Sequence, residues 1–261
     1  MLLNSPAAKD FSCPSKVELM TAGAPPPASV LQGIEKLGFN VTQVYGLTET
    51  YGHTVMSTWN SDWDKLDDQK RSALKARQGA AMVQTAGMRI VDMESREDVP
   101  ADGQSIGEIL IRGNTVMKGY LKDVENTAAS LKNGWFHTGD LAVMHPQGYA
   151  EIKDRLKDII ISGGENISSV EIEAVLHKHA SVSLAAVVAL PDEKWGEVPC
   201  AFLELLEGAT VTEEEIEVFC RANLAGFKRP KKVVFGELPK TATGKIQKYE
   251  LRSLARSGRL N

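Results

Sequence analysis

Cysteine is scarce in this chain: Cys13, Cys200 and Cys220 are the three among 261 residues, far apart and without a C-x-x-C pairing. That spacing excludes a disulfide framework or a cysteine zinc site, and it favours a reducing compartment. Long apolar runs are missing too. The longest, residues 184–190, falls well short of the roughly 20 apolar residues that cross a bilayer. The opening Met1-Leu2-Leu3-Asn4-Ser5-Pro6 has no cationic start and no long apolar stretch, so no secretory signal is expected. Neither H-E-x-x-H nor G-x-G-x-x-G occurs. The expectation is a soluble, cytoplasmic protein without a membrane span.

What is present is an ordinary globular balance, 43% hydrophobic and 25% charged, enough to build one or two cored domains. The net charge of −4 argues against bulk nucleic-acid binding. Its distribution is uneven. Residues 221–261 hold eleven Lys or Arg against two acids, +9, which leaves −13 on residues 1–220. A basic end on an acidic body suits an anionic ligand such as a phosphate or nucleotide, and a solvated surface equally well.

Residues 17–44 read as an α/β unit: a strand at 17–20, a helix to about Leu37 carrying Val30, Leu31, Ile34 and Leu37, a stop at Gly38, and a strand at 39–44. The following Tyr45-Gly46-Leu47-Thr48-Glu49-Thr50 reads as a polar loop at a strand's carboxyl end, where open α/β sheets bind ligands. From 82 to 152 the texture is short strands between Gly, Asp and Asn turns, a small β-barrel or sandwich layer. After Arg155 come a strand near 159–161, a helix with a capping box at Ser168 and Glu171, apolar strands at 182–190 and 198–206, a second capped helix at Thr212 and Glu215, a strand at 233–235 and a closing helix at 249–255. The predicted class is therefore mixed α/β and α+β, with a boundary in the charged segment 153–158. His177 and His179, two apart near a helix end, are expected to be surface residues. Residues 241–245 are similar to the end of a phosphate-binding P-loop, but no glycine sits five residues before Gly244 and Ile246 replaces the Ser or Thr.

Seven polar, glycine-containing loops follow in order: Thr21-Ala-Gly-Ala-Pro-Pro-Pro27, Tyr45-Gly-Leu-Thr-Glu-Thr50, Gly134-Trp-Phe-His-Thr-Gly-Asp140, Lys153-Asp-Arg-Leu-Lys-Asp158, Ile161-Ser-Gly-Gly-Glu-Asn-Ile167, Phe227-Lys-Arg-Pro-Lys231 and Pro239-Lys-Thr-Ala-Thr-Gly-Lys245. Over nearly the whole chain, 21–252, this series resembles the adenylate-forming superfamily and, within it, the AMP-forming acyl-CoA synthetases. The loop at 51–55 with Trp59, Trp63 and residues 75–79 looks most like the short- and medium-chain and 3-methylmercaptopropionyl-CoA ligases. The family's Ser/Thr/Gly-rich phosphate loop is not found, so the chain is expected to match the C-terminal half of such a ligase, inactive alone. Residues 1–155 would be the end of the large AMP-binding domain, an α/β piece plus the β-barrel layer. Residues 156–261 would be the mobile small domain. Residues 1–150 alone are then expected to expose an apolar face around 41–47.

The resemblance implies roles residue by residue. Gly23, Ala24 and Pro25 would flank adenine, and Tyr45, followed by Gly46, would stack on it. Thr48 would hydrogen-bond the α-phosphate, and Glu49 would hold Mg²⁺. Asp140 would take both ribose hydroxyls, as a carboxylate with four lone-pair sites can, with Arg155 in support. Lys245 would be the adenylation lysine, a cation between two anions. Lys157 resembles the hinge. Gly163, Gly164 and Glu165 would line the pantetheine tunnel, and Trp195, Phe227, Arg229 and Lys231 would meet coenzyme A. His53 sits beside the Tyr45–Thr50 motif without an assigned role. The implied ligands are ATP or AMP, Mg²⁺, coenzyme A and a small carboxylic acid, with a homodimer open and no nucleic acid. An aryl-acid or carrier-protein adenylation enzyme, and a non-catalytic nucleotide- or CoA-binding module, stay open as alternatives.

Overall fold

The computed structural model describes residues 5, 8, 11, 13–23, 28–242 and 244–258. It divides into two compact units, Met1–Ile152 and Lys153–Asn261.

In the first unit, β1 (Val17–Thr21) and β2 (Phe39–Leu47) pair in parallel around the crossover helix α1 (Ala28–Lys36). Gly38, at φ +94°, turns the chain out of α1 through a conformation that side chains disfavour. β3 (Gly52–Met56) folds back antiparallel on β2, and β4 (Ala80–Ala81) pairs with β3. This return supplies ladder partners for Tyr45, Gly46 and Leu47, so β2 runs on through residues expected to be loop. The apolar face expected to be bare is covered: α1 seats Leu31 and Ile34 on Val41, and Val44 is buried as well. Helix α2 (Asp68–Lys75), not anticipated, is capped by Asp67, whose carboxylate accepts from Lys70 N at 2.8 Å.

β5 (Thr85–Val91), β6 (Ile106–Gly113), β7 (Leu131–Lys132), β8 (Trp135–Met144) and β9 (Ala150–Arg155) form one five-stranded sheet in the order β5-β6-β8-β7, with β9 on β8. The short α3 (Val124–Ser130) interrupts it. Ile90, Ile109, Ile111 and Ala142 of this sheet pack with Val55 of β3, and Tyr45 lies against that cluster. The base of the β2–β3 ribbon is thereby buried while its tip reaches solvent.

The second unit joins β10 (Ile160–Ser162), β11 (Glu165–Ile167), β12 (Val182–Asp192), β13 (Gly196–Leu205) and β14 (Lys232–Phe235) in the order β11-β10-β13-β12, with β14 parallel on β13. Helices α4 (Ser169–Leu176) and α5 (Glu213–Asn223) cover one face and α6 (Lys248–Ser257) the other. The Thr212–Glu215 capping box forms in full. At α4, Ser168 Oγ accepts from Glu171 N, but the Glu171 carboxylate goes to Lys228 Nζ at 2.7 Å. The two histidines are half-buried rather than superficial: burial lowers the pKa of His177, and His179 sits edge-on to Phe219 with ring centroids 5.0 Å apart.

Candidate functional site

In the first unit, chemistry-bearing side chains gather at the end of β2. The Tyr45 hydroxyl donates to Asp140 Oδ2 at 2.8 Å, and Asp140 is only 5% exposed. Opposite Tyr45–Gly46 the β2–β3 ladder slips, pairing Tyr45 with Val55 and Gly46 with His53. A β-carbon on Gly46 would lie 1.9 Å from the Gly52 carbonyl oxygen, so only glycine allows the two strands to close here. β2 then passes into a tight turn, Thr48–Thr50. Its lock is Thr50: the buried hydroxyl accepts from Leu47 N at 2.9 Å and donates to Gly52 O at 2.8 Å. With the turn fixed from below, Thr48 is presented to solvent. Glu49 is held from a distant segment, since Met117 N donates to its carbonyl at 2.7 Å and the Tyr120 hydroxyl to its carboxylate at 3.0 Å. Burial, and then this carboxylate, raise the Tyr120 phenol pKa.

Asp140 owes its aim to a break in the β6–β8 ladder. Glu108 pairs with Leu141 and Leu110 with His137, so Thr138, Gly139 and Asp140 together face the single residue Ile109. Thr138 Oγ1 donates to Ile109 O at 2.7 Å and accepts from Asp140 N at 3.1 Å. Gly139 N donates to Glu108 Oε1 at 3.1 Å, and Glu108 Oε2 lies 2.9 Å from His137 Nδ1.

In the second unit, Asp154 and Asp158 bracket Arg155 and Lys157. The buried Asp154 carboxylate accepts from Arg155 N at 2.7 Å and from Ser169 N at 2.5 Å, and Asp158 pairs with Arg252. Gly163 and Gly164 turn the β10–β11 hairpin at φ +59° and +88°. Gly163 N donates to Trp195 O at 2.8 Å, and a β-carbon on Gly163 would meet the Trp195 ring at 2.7 Å. Lys194 Nζ sits 4.7 Å from that ring's centroid. Glu165 and Phe227 are exposed. Lys231 N donates to Pro199 O at 2.8 Å, and Arg229 Nε donates to Leu224 O at 3.3 Å. Lys245 is exposed on a turn closed by Thr241 N donating to Lys245 O at 2.8 Å, with Gly244 at φ +83°. The base of that turn is fixed where Lys240 Nζ meets Glu204 Oε2 at 2.6 Å.

Three groupings among the expected residues are therefore present: Tyr45 with Asp140, Thr48 with Glu49, and Gly163 with Trp195. Gly23, at φ +94°, is described, whereas Ala24 and Pro25 lie outside the described residues. His53 is exposed on β3, bound through its backbone carbonyl by Gln84. Sequence reasoning missed Tyr120 and Glu108. The available signals were a Gly119-Tyr120 pair in a polar segment and one acid inside the apolar strand Ile106–Gly113. Among the described residues no three His, Cys, Asp or Glu gather as a metal cluster. Glu49 alone still fits Mg²⁺, which is usually held by one or two carboxylates plus substrate phosphates.

The family model of the AMP-binding enzymes matches residues 1–121, and that of their C-terminal domain matches residues 171–245. A 2-methylpropanoate–CoA ligase of Humulus lupulus, CCL4, is 52% identical over 260 residues, 98% of this chain and 46% of that protein. The peroxisomal acetate/butyrate–CoA ligase AAE7 of Arabidopsis thaliana is 50% identical over 248 residues, 93% of this chain and 44% of that one. Among solved structures, the o-succinylbenzoate CoA synthetase of Bacillus subtilis in complex with its acyl-adenylate intermediate aligns with a TM-score of 0.79 at 32% identity, covering 96% of this chain and 49% of the other. The chain thus spans about half the length of the relatives it matches, and it belongs to the adenylate-forming AMP-binding enzymes.

Proposed function

We propose that this chain supplies the nucleotide-handling part of an AMP-forming acid–thiol ligase that activates a small carboxylic acid and passes the acyl group to coenzyme A. The carrying observation is the Tyr45–Asp140 pair beside the Thr48–Thr50 turn: an aromatic face, a buried carboxylate and a presented hydroxyl on adjoining backbone. An adenine ring, a ribose diol and an α-phosphate ask for those three groups in that order. Gly23 with Ala24 and Pro25 would flank the adenine, Gly46 would keep the strand thin beneath it, and Arg155 would support the ribose.

In the first half-reaction a carboxylate oxygen of the acid attacks the α-phosphorus of ATP, and the bond to pyrophosphate breaks. Thr48 donates to the α-phosphate, and Lys245 sets a cation between the two anions, stabilising charge as it builds. Glu49 would hold Mg²⁺, which supplies charge neutralisation at the phosphates. In the second, the thiol sulfur attacks the acyl carbonyl, AMP leaves and the thiol proton passes to solvent. Gly163, Gly164 and Glu165 would line the thiol's path, with Trp195, Phe227, Arg229 and Lys231 meeting coenzyme A. Residues 1–155 read as the end of the AMP-binding domain and 156–261 as the moving one, with Lys157 at the hinge. The acids in the relatives' names support a short-chain acyl substrate. No described helix is long and apolar enough to cross a membrane. We place the protein in the cytoplasm, to be tested by localisation because some relatives are peroxisomal, and we treat a homodimer as its assembly to be tested by light scattering.

The test is acid-dependent ATP–pyrophosphate exchange by the natural gene product, with acetate, butyrate and 2-methylpropanoate, and thioester formation on adding coenzyme A. Exchange followed by thioester is the expected result. Nucleotide binding without exchange would instead favour a non-catalytic module, and exchange without thioester a carrier-protein adenylation enzyme.

A further inference from the structure

Glu108 is a buried acid with no part in the site as the resemblance describes it. It is 6% exposed, yet its partners are few and specific: Gly139 N at 3.1 Å on one oxygen, His137 Nδ1 at 2.9 Å on the other, and Arg96 at 3.6 Å. A carboxylate so removed from water is tolerable only where donors replace its hydration. All of them sit on or beside the irregular part of the β6–β8 ladder. Over that stretch three residues of β8 face one of β6, so the ordinary ladder bonds are lost. Glu108 and Thr138 replace them, bonding Gly139 N, Asp140 N and Ile109 O. Gly139 stands at φ +70° with nothing within 4 Å of a virtual β-carbon, so backbone conformation rather than space makes this a glycine position.

We infer that Glu108, oriented by His137, is a positioning residue for the nucleotide site. It holds the Gly139 bulge that points Asp140 at the ribose hydroxyls, and so it sets the preference for a ribose over a dideoxyribose nucleotide. This rests on the proposed role of Asp140. A strand with three residues opposite one has several ways to relax, and each would swing the Asp140 carboxylate elsewhere. Fixing the amide of Gly139 on one oxygen of a buried carboxylate, whose other oxygen is held by His137 and Arg96, selects one of them before any ligand arrives, which is how preorganised sites hold their groups. Thr138 completes the clamp by bonding Ile109 O and Asp140 N.

The experiment is titration of the 261-residue chain with AMP and with 2′,3′-dideoxy-AMP, combined with amide hydrogen exchange at residues 137–140. The wild-type chain is expected to prefer AMP by about tenfold or more, the scale of hydrogen bonds to a charged group. Glu108→Ala should lose most of that preference by weakening AMP alone, and it should speed exchange at Gly139. Glu108→Gln, which keeps an acceptor oxygen for Gly139 N, should retain it. Adding Glu108→Ala to Asp140→Ala should change AMP affinity no further. Should Glu108→Ala fail to fold, Thr138→Val removes the other clamp and is expected to give the same selective loss. Wild-type preference and unchanged Gly139 exchange in the folded variants would overturn the inference. Absence of any AMP preference in the wild-type chain would instead overturn the nucleotide reading of Asp140. The exchange data then decide the bulge by themselves: acceleration at 137–140 upholds Glu108 as its clamp, and none overturns it.

Discussion

The Tyr45 hydroxyl donates to Asp140 Oδ2 over 2.8 Å, tying the end of β2 to the bulge of β8 across 95 residues of sequence. A phenol bonded to an acid is both an aromatic surface and a strut, and the two roles separate on substitution. Tyr45→Phe should keep the ring and lose the strut, costing about 1 kcal/mol of stability, with a several-fold weaker AMP complex. Tyr45→Ala should lose both, with a much larger drop in AMP affinity. Chemical denaturation and calorimetric titration of the two variants check this, and equal binding losses would contradict it.

The buried thiols should be inert. Burial pushes Cys200 up to about 12 and Cys220 up to about 11, so both stay protonated, and thiols attack as thiolates. Alkylation of the native chain near pH 8 should therefore be confined to Cys13, as peptide mapping would show. The same shifts carry a stability consequence. A group that holds its proton more tightly when folded favours folding fully below its unfolded value of 9, and loses that contribution as pH rises through its folded value. The unfolding midpoint should fall from about pH 9 upward, and less steeply in a Cys200→Ala variant.

Glu173 and Lys248 form a nearly buried ion pair at 2.6 Å, with Val187 N donating to the same carboxylate at 2.7 Å. Burial holds the Glu173 carboxyl above its ordinary range against the pull of Lys248. Removing the cation as Lys248→Ala leaves a charge without compensation, a change that typically costs about 3 kcal/mol. A raised carboxyl favours the folded state at low pH and loses that advantage as pH climbs through the folded value. The variant should therefore be strongly destabilised at pH 8 and partly recover at pH 5. Thermal melts at the two pH values decide it; equal losses would be inconsistent with a buried, uncompensated Glu173.

At α5, Thr212 Oγ1 accepts from Glu215 N at 3.2 Å while Glu215 returns a bond to Thr212 N at 2.8 Å. Thr212→Ala should cost about 1 kcal/mol. Because α5 lies in the second unit, exchange protection should fall there first, and residues 17–81 should be unaffected.

Much of this arrangement was legible in the sequence because its signals are local. Gly38 ending α1, the Thr212–Glu215 box and the Thr48-Glu49 turn each rest on residues a few positions apart. What escaped depends on distant partners. Tyr45 to Leu47 have the composition of a loop and become strand because β3 returns along them. Glu108 follows Gly107 and precedes the apolar run Ile109-Leu110-Ile111, and it gives no hint of Gly139, 31 residues on. The Glu171 carboxylate has the spacing to close a capping box and is drawn away by Lys228, 57 residues later. The halves of the β12–β13 hairpin read as two apolar runs because both faces are buried, which erases the alternation that normally marks a strand.

That double burial also bears on how the second unit folds. β12 and β13 are neighbours in sequence and pair from Val182–Leu205 through to Asp192–Gly196. The hairpin needs only a short loop closure, and its two faces are templates on which α4 and α5 can condense on one side and α6 on the other. Its low sequence separation makes it the expected nucleus of the unit. Ala186 and Ala201, small and fully buried at its centre, set how closely the helices can approach. Enlarging either should slow folding more than it speeds unfolding, so the sheet that carries Trp195 would be slow to form rather than quick to fail.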